Sequence, residues 1–227
     1  HFSTLWQKQL GQIPISKVPS DLELMASTID FDKITLVRFF GGEPLLTDTH
    51  MQVLALLPHP EQVTLSYCTN GSIYPKDEVL RKWQEFKRVR IVFSIDGIGE
   101  RFEYIRWPLQ WDRVESNFIR IAETFPEIGL RINYTVNPLN VWYIDEFVDW
   151  TTRLKEKFPI EFVFSPCFGT LGISALSPKM FQELVVEDNC NRHVHGLLRS
   201  YPANEDSHKK AIEFLDSLDS MRNINWR

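Results

Sequence analysis

The segment Ile34–Leu46, ITLVRFFGGEPLL, is the most informative part of the sequence about the fold. It is a run of β-branched and aromatic residues that stops at Gly-Gly-Glu-Pro, a pattern typical of a buried strand whose end must admit something close to its backbone. Residues 63–71, VTLSYCTNG, and 89–99, VRIVFSIDGIG, repeat this pattern. Because the ends of parallel strands lie on one face, where ligands bind, we look for function at these three ends.

Helical periodicity separates these strands. The sequence predicts helices over residues 20–30, 49–57, 75–86, 111–125, 142–158 and most of 177–223, and further strands over 130–137 and 160–167. Residues 97–110 are predicted to be a connection. Strands that alternate with helices in this way indicate an α/β fold with a parallel sheet, and too few units are present for an eight-fold barrel. We therefore predict an open, partial barrel.

The organisation that follows is one domain over 1–227. Residues 1–30 form a leading segment and helix, 31–170 the βα units, and 171–227 terminal helices. In the last helix, a spacing of three predicts one apolar face made of Ile212, Leu215, Leu218 and Met221.

Composition argues against two classes of partner. The chain has 25 basic and 30 acidic side chains, a net charge of -5, so it has no overall attraction to nucleic acid. No apolar stretch of 18 residues is present to span a membrane. With no signal-peptide pattern and an odd number of cysteines, three, we expect a cytoplasmic protein. The basic group from Arg81 to Arg90, which has acidic neighbours, is interpreted as a solvated helix end.

The Gly-Gly-Glu-Pro end could carry chemistry. Gly41 and Gly42 leave their peptide groups accessible to a small polar ligand, and Glu43 offers a carboxylate to a cationic amine. Pro44 fixes its own φ and removes a donor. The alternative is an ordinary strand-to-helix turn. Asn70, at the next strand end, would equally serve its own turn.

The ordered set Gly41-Gly42-Glu43-Pro44, Thr69-Asn70-Gly71 and Ser94-Ile95-Asp96-Gly97 resembles the radical S-adenosylmethionine superfamily. The likeness extends over residues 34–166 and is greatest to the branch with SPASM or shorter "twitch" extensions. It implies a partial (β/α)6, TIM-like barrel, which agrees with the count of units. The first strand and the cluster loop of that family are not found in this sequence.

The resemblance implies how S-adenosylmethionine would be bound. Gly41, Gly42 and Glu43 would contact the amino group of its methionine moiety, beside Pro44. Ser94 would contact the ribose or the carboxylate. Asn70 would touch the ligand or only its own turn.

Four later residues complete the implied site. Asp96 would shape the turn after its strand, and Arg106 would bind the carboxylate; the alternative for Arg106 is a surface pair with Glu103. Val136 and Asn137 would flank the adenine, unless the strand merely turns at that point. The resemblance assigns no catalytic residue.

The family also implies a [4Fe-4S] cluster, which its members bind with Cys-x-x-x-Cys-x-x-Cys. This motif is absent, and no cysteine precedes Cys68. Either the sequence begins after the cluster loop, which we favour, or it is a degenerate relative. Cys68, Cys167 and Cys190, the last near His193 and His195, match no metal-site spacing, so we predict no metal ligands among them.

The implied function is reductive cleavage of S-adenosylmethionine to a 5'-deoxyadenosyl radical, followed by hydrogen abstraction from a substrate such as a peptide. A reductase or other electron donor would be a partner, whereas nucleic acid and membrane would not. One alternative is a degenerate barrel that binds a peptide or nucleotide without catalysis. Another is an unrelated barrel enzyme that binds an anion at Gly41 and Gly42.

Overall fold

The computed structural model describes residues 28–186 and 191–223. Within them, five parallel strands form one sheet in chain order. The strands are β1 Leu36–Phe39, β2 Thr64–Thr69, β3 Arg88–Ser94, β4 Gly129–Val136 and β5 Ile160–Pro166. The predicted α/β class with a parallel sheet is thus confirmed. Among the described residues, no helix has both the length and the apolar character needed to cross a bilayer.

Helices connect the strands, and all but one of them lie where the sequence predicts a helix. They are α1 Thr49–Leu54, α2 Asp77–Trp83, α3 Gly99–Ile105, α4 Trp111–Thr124, α5 Ile144–Lys155, α6 Pro178–Phe181, α7 Arg192–Ser200 and α8 Glu205–Arg222. Short 3₁₀ turns occupy Phe31–Lys33, Pro44–Leu46, Pro60–Gln62, Val141–Tyr143 and Ile173–Ala175, and a π-helical turn occupies Gln182–Val186. The helix predicted over 20–30 lies almost entirely outside the described residues.

Two details of the helix predictions were wrong. Residues 97–110 were predicted to be a connection, yet they contain α3, whose Phe102 and Ile105 are buried one helical turn apart. In α8 the buried apolar residues are Ala211, Leu215 and Leu218, whereas Met221 is 47% exposed. A strict spacing of three drifts around a helix of 3.6 residues per turn, so it cannot stay on one face.

The chain divides into two compact units. Of the described residues, unit 1 holds 28–94, 112–131 and 159–161, and unit 2 holds 95–111, 132–158, 162–186 and 191–223. The single domain over 1–227 stays a prediction.

The core of unit 1 lies on the face of β2 and β3 that carries Leu65, Tyr67, Ile91 and Phe93, all of which are fully buried. The Tyr67 ring stacks on Phe39 at 4.8 Å between ring centroids. Its hydroxyl lies 3.0 Å from His50 Nδ1 of α1. Alternation along each strand therefore leaves the opposite face of β2 and β3 to smaller and polar side chains.

The prediction of a buried first strand was wrong. Strand β1 is only half-buried, with Leu36 45% exposed, and Phe40 just beyond it is 76% exposed. Among the described residues it lies at the edge of the sheet. Apolar composition alone cannot distinguish an edge strand from a central one.

The basic group was also only partly a helix end. Arg81 and Lys82 do lie in the last turn of α2, but Arg88 and Arg90 belong to β3. Their side chains point away from the core, because the buried residues of β3 are the alternating Val89, Ile91 and Phe93.

Unit 2 has an aromatic core. The ring of Tyr134 on β4 packs against Phe147 of α5 at 4.5 Å between centroids. Trp111 lies between Phe102 and Trp150, at 5.3 and 5.2 Å. These contacts fix α3 and α5 around the second half of β4.

Candidate functional site

The glycine pair after β1 makes a tight, open turn in unit 1. Gly41 and Gly42 have φ of +87° and +57°, in the region where glycine has no steric penalty. A Cβ built on either residue meets nothing within 4 Å. The two peptide units can thus be approached directly, and it is backbone conformation rather than crowding that requires glycine here.

The Glu43 carboxylate joins this turn to the end of β2. Its Oε1 accepts hydrogen bonds from the Thr69 hydroxyl at 2.8 Å and from the Leu45 N–H at 3.2 Å. Its Oε2 accepts from the Asn70 N–H at 2.8 Å. Glu43 is half-buried. Since two carboxylate oxygens can accept about four hydrogen bonds, these three contacts leave capacity for a cationic ligand.

The turn after β2 is held by its own side chains. Asn70 Oδ1 accepts from the Ser72 N–H at 2.9 Å, and the Thr69 hydroxyl accepts from the Gly71 N–H at 3.0 Å. A Cβ on Gly71 would lie 2.9 Å from Val114 Cγ1, so only glycine fits. Asn70 does serve its own turn, as the alternative proposed. The hydrogen bond from Thr69 to Glu43 was not predicted. The sequence Thr-Asn-Gly does not indicate which distant acceptor the threonine hydroxyl will bind.

Ser94 ends β3 and is half-buried. Its Oγ lies 3.6 Å from the Cys68 Sγ on the neighbouring strand, at the limit of a weak sulfur contact.

In unit 2, Asp96 is the centre of a buried polar cluster. Its Oδ1 accepts from the Thr135 N–H at 2.7 Å, and its Oδ2 forms an ion pair with Arg106 Nη2. The alternative pairing of Arg106 with Glu103 was wrong, since Glu103 Oε1 accepts from the Trp111 N–H at 2.9 Å. Arg106 is largely buried, and its Nε has no hydrogen-bond partner among the described residues.

The last residue of β4, Val136, and the first residue after it, Asn137, have different environments. Val136 is fully buried, and its carbonyl accepts from the Cys167 N–H at 2.9 Å. Asn137 Oδ1 accepts from the Leu139 N–H at 2.9 Å, so this side chain shapes a turn as well.

Asn140 connects the turn after β4 to the turn after β3. The sequence analysis did not identify this residue. The residue is fully buried, and its Nδ2 donates to the carbonyls of Asp96 and Thr135, both at 2.9 Å. Its Oδ1 accepts from the Asn137 N–H at 2.8 Å. The Asn-Pro-Leu-Asn sequence signals a turn, but it does not show that the second asparagine points inward.

The described residues do not fit an iron–sulfur cluster. Over 28–186 and 191–223, no three histidine, cysteine, aspartate or glutamate side chains come together as a metal ion would require. Cys68 and Cys167 are free thiols, and burial raises the pKa of Cys167. Cys190 lies outside the described residues. Of its neighbours, His193 packs on Phe162 and Phe164, and His195 Nε2 lies 3.3 Å from the Val185 carbonyl.

The sequence model of the Radical SAM superfamily matches residues 7–151, more than half of the chain. The chain belongs to the radical SAM superfamily. Membership confirms the predicted family and its partial-barrel α/β fold class. It also confirms the predicted cofactors, S-adenosylmethionine and a [4Fe-4S] cluster, for which the described part of this radical SAM chain provides no ligands. The SPASM or twitch branch stays a prediction.

Solved structures show a more distant likeness. Native anSMEcpe with bound AdoMet and Cp18Cys peptide is 17% identical at a TM-score of 0.46, over 75% of this chain and 50% of that one. Native anSMEcpe with bound AdoMet and Kp18Cys peptide is 17% identical at 0.49, over 81% and 53%. The chain thus spans about half the length of these proteins. No curated protein matches its sequence.

Proposed function

We propose that this radical SAM chain is the core of an enzyme that cleaves S-adenosylmethionine reductively to a 5'-deoxyadenosyl radical, which abstracts hydrogen from a peptide. The observation that carries the proposal is the family match over 7–151, which includes the Gly41-Gly42-Glu43-Pro44 turn. A peptide substrate and an electron donor rest on the resemblance in sequence, and a cytoplasmic setting rests on the missing signal-peptide pattern and the odd number of cysteines.

The turn after β1 fits the methionine amino group. The backbone of Gly41 and Gly42 is open to approach, and the Glu43 carboxylate beside it retains acceptor capacity. Because Thr69 and Asn70 fix both carboxylate oxygens, Glu43 would offer its charge without first losing side-chain freedom. We therefore assign the ammonium contact to Glu43.

The other residues proposed to contact the cofactor also contact neighbouring protein groups. Arg106 would bind the methionine carboxylate, although Asp96 already holds part of its guanidinium. Ser94 would contact the ribose or the carboxylate. Asn70, Val136 and Asn137 would act mainly through the shape of their turns. No step is assigned to the cluster, because the described residues do not fit one.

The test is S-adenosylmethionine binding by calorimetry to the full-length gene product, handled without oxygen, with iron and sulfide measured on the same sample. We expect binding, about four irons as in the [4Fe-4S] clusters of the family, and release of 5'-deoxyadenosine on reduction. If no binding occurs, the proposal is wrong.

A second candidate function follows from the missing ligands. Binding of S-adenosylmethionine with no iron and no cleavage would indicate a degenerate barrel that binds a nucleotide or peptide. The observation in its favour is that no metal-binding group occurs among the described residues.

A further inference from the structure

A row of arginines crosses the half-exposed face of the sheet in unit 1. In the parallel register, Arg38 of β1, Ser66 of β2 and Arg90 of β3 lie side by side. Arg88 lies two residues before Arg90, next to Thr64. Since paired residues of adjacent strands share a face, all these side chains point to the same side of the sheet.

A fourth arginine extends the row onto β4. A Cβ on Gly129 would lie 3.2 Å from Arg90 Cγ, so Gly129 is on the same face as Arg90. Arg131, two residues further along β4, therefore shares that face. We call Arg38, Arg88, Arg90 and Arg131 the arginine face; all four belong to unit 1.

In the part of the chain that the structure describes, positive charge exceeds negative charge on the arginine face. Among the described residues, none of its four guanidinium groups forms an ion pair, and the buried Nε of Arg131 lacks a hydrogen-bond partner. Glu161, an exposed acid of β5 in the same unit, forms no ion pair within the described ranges either. Like charges at neighbouring sheet positions repel each other. Four of them on one face therefore favour an anionic ligand.

The geometry of the guanidinium groups and the spacing of the arginines indicate which class of anion would bind. A guanidinium binds a carboxylate through two parallel hydrogen bonds, and three of these arginines are exposed. Arg88 and Arg90 are about 6.6 Å apart along β3, from about 3.3 Å per residue, which is also the same-face repeat of an extended peptide. The side chains between the arginines are Thr64 and Ser66, not the aromatic rings that stack on bases. The net charge of -5 also opposes nucleic acid.

We propose that the arginine face binds an acidic, extended segment of a peptide. This rests on the proposed function, for which it would define the class of substrate: carboxylates at alternate positions, away from the residue that reacts.

The test uses the full-length protein, a fluorescein-labelled peptide of alternating glutamate and serine, and its glutamine counterpart. Fluorescence anisotropy should show tighter binding of the acidic peptide, weakened by salt. The double variant Arg38→Gln/Arg90→Gln should lose about tenfold or more in affinity, as expected for two charged contacts. Arg81→Gln/Arg113→Gln is the matched control, since it removes the same charge from exposed helix positions and should bind as the wild type does.

Three results would overturn the inference: equal binding of both peptides, equal loss in both double variants, or tighter binding of a single-stranded oligonucleotide than of the acidic peptide. S-adenosylmethionine binding on the same samples separates this inference from the proposed function. If the cofactor binds and the acidic peptide does not, only the arginine face is wrong. If neither binds, both proposals fail.

Discussion

At the scale of single residues, Glu43 links two strand ends through both carboxylate oxygens. Glu43→Gln replaces one acceptor by an N–H group that must face either the Asn70 N–H or the Thr69 hydroxyl. We expect a loss of about 1–3 kcal/mol in unfolding free energy, from one buried donor left without a partner. S-adenosylmethionine binding should weaken as well. Urea denaturation and calorimetry measure the two effects. Glu127→Gln, at an exposed position, is the control, and an equally stable Glu43→Gln would contradict the assigned contacts.

His50 predicts a dependence of stability on pH. Burial lowers its pKa below the ordinary 6.5, so the unfolded chain takes up this proton at a higher pH than the folded chain does. The contribution of His50 to stability is complete above pH 6.5 and is lost as pH falls below it. Compared with the wild type, His50→Gln should unfold with a weaker pH dependence over that range. Urea denaturation at a series of pH values measures the effect, and an unchanged pH dependence in His50→Gln would contradict it.

The glycines at the strand ends should respond differently to alanine. Gly71→Ala forces a Cβ against Val114 Cγ1 at a φ of +76°, so strain and overpacking should cost about 2–4 kcal/mol. Gly41→Ala has open space and should cost about 1–2 kcal/mol from φ alone. Gly196→Ala, inside α7 with nothing near its Cβ, should be neutral or stabilising. Thermal unfolding would reveal the order, and a reversed order for Gly71 and Gly41 would contradict it.

At the scale of elements, Asn140 is predicted to join the turns after β3 and β4. Asn140→Ala leaves the carbonyls of Asp96 and Thr135 and the Asn137 N–H without these partners, which should cost about 3 kcal/mol or more. Hydrogen exchange at Thr135 and Asn137 should accelerate. Asn117→Ala removes a single bond, to the Gly71 carbonyl, and should cost about 1 kcal/mol. If the two variants were equally stable, the hydrogen bonds of Asn140 would not be what connects the two turns.

Most elements could be predicted from sequence because local patterns specify them. Apolar runs of β-branched and aromatic residues located β2 to β4, and helical periodicity located α2. Capping is less predictable. An aspartate before a helix is a typical N-cap, but the carboxylate of Asp48, which precedes α1, accepts from Lys76 Nζ at 2.7 Å instead of from a helix N–H. The donor that a carboxylate accepts from can be distant in sequence, so a local sequence pattern cannot predict it.

In the candidate site, too, features set by local sequence could be predicted and contacts between elements could not. Glycine and acidic residues at strand ends indicated where Glu43 and Asp96 would lie, because strand-end chemistry is local. Thr69 and Asn140, which orient them, could not be predicted, since their bonds cross between elements. Arg106 shows the limit most clearly: its chemistry suggested an acidic partner, yet Glu103 was the wrong one and Asp96 the right one.

At the scale of the whole molecule, average charge concealed a local excess. The net charge of -5 correctly describes the chain, but Arg88 and Arg90 were interpreted as part of a solvated helix end. Only the register of β1 to β3 brings Arg38 beside Ser66 and Arg90. Charges on one sheet face are separated in sequence by a whole βα unit, so a linear scan for basic runs cannot find them.

The number and placement of the cysteines predict that these 227 residues bind an iron–sulfur cluster poorly. The sequence holds three cysteines, of which Cys68 belongs to unit 1 and Cys167 to unit 2, and no metal-binding group occurs among the described residues. A polypeptide of these 227 residues, reconstituted with iron and sulfide without oxygen, should therefore hold far less than the four irons of a [4Fe-4S] cluster. A protein that contains the Cys-x-x-x-Cys-x-x-Cys motif, treated identically, is the positive control. Iron analysis and the visible absorption of the cluster decide the outcome. If the 227-residue polypeptide itself held a stoichiometric cluster, these cysteines would have to converge, and the prediction that they are not metal ligands would be wrong.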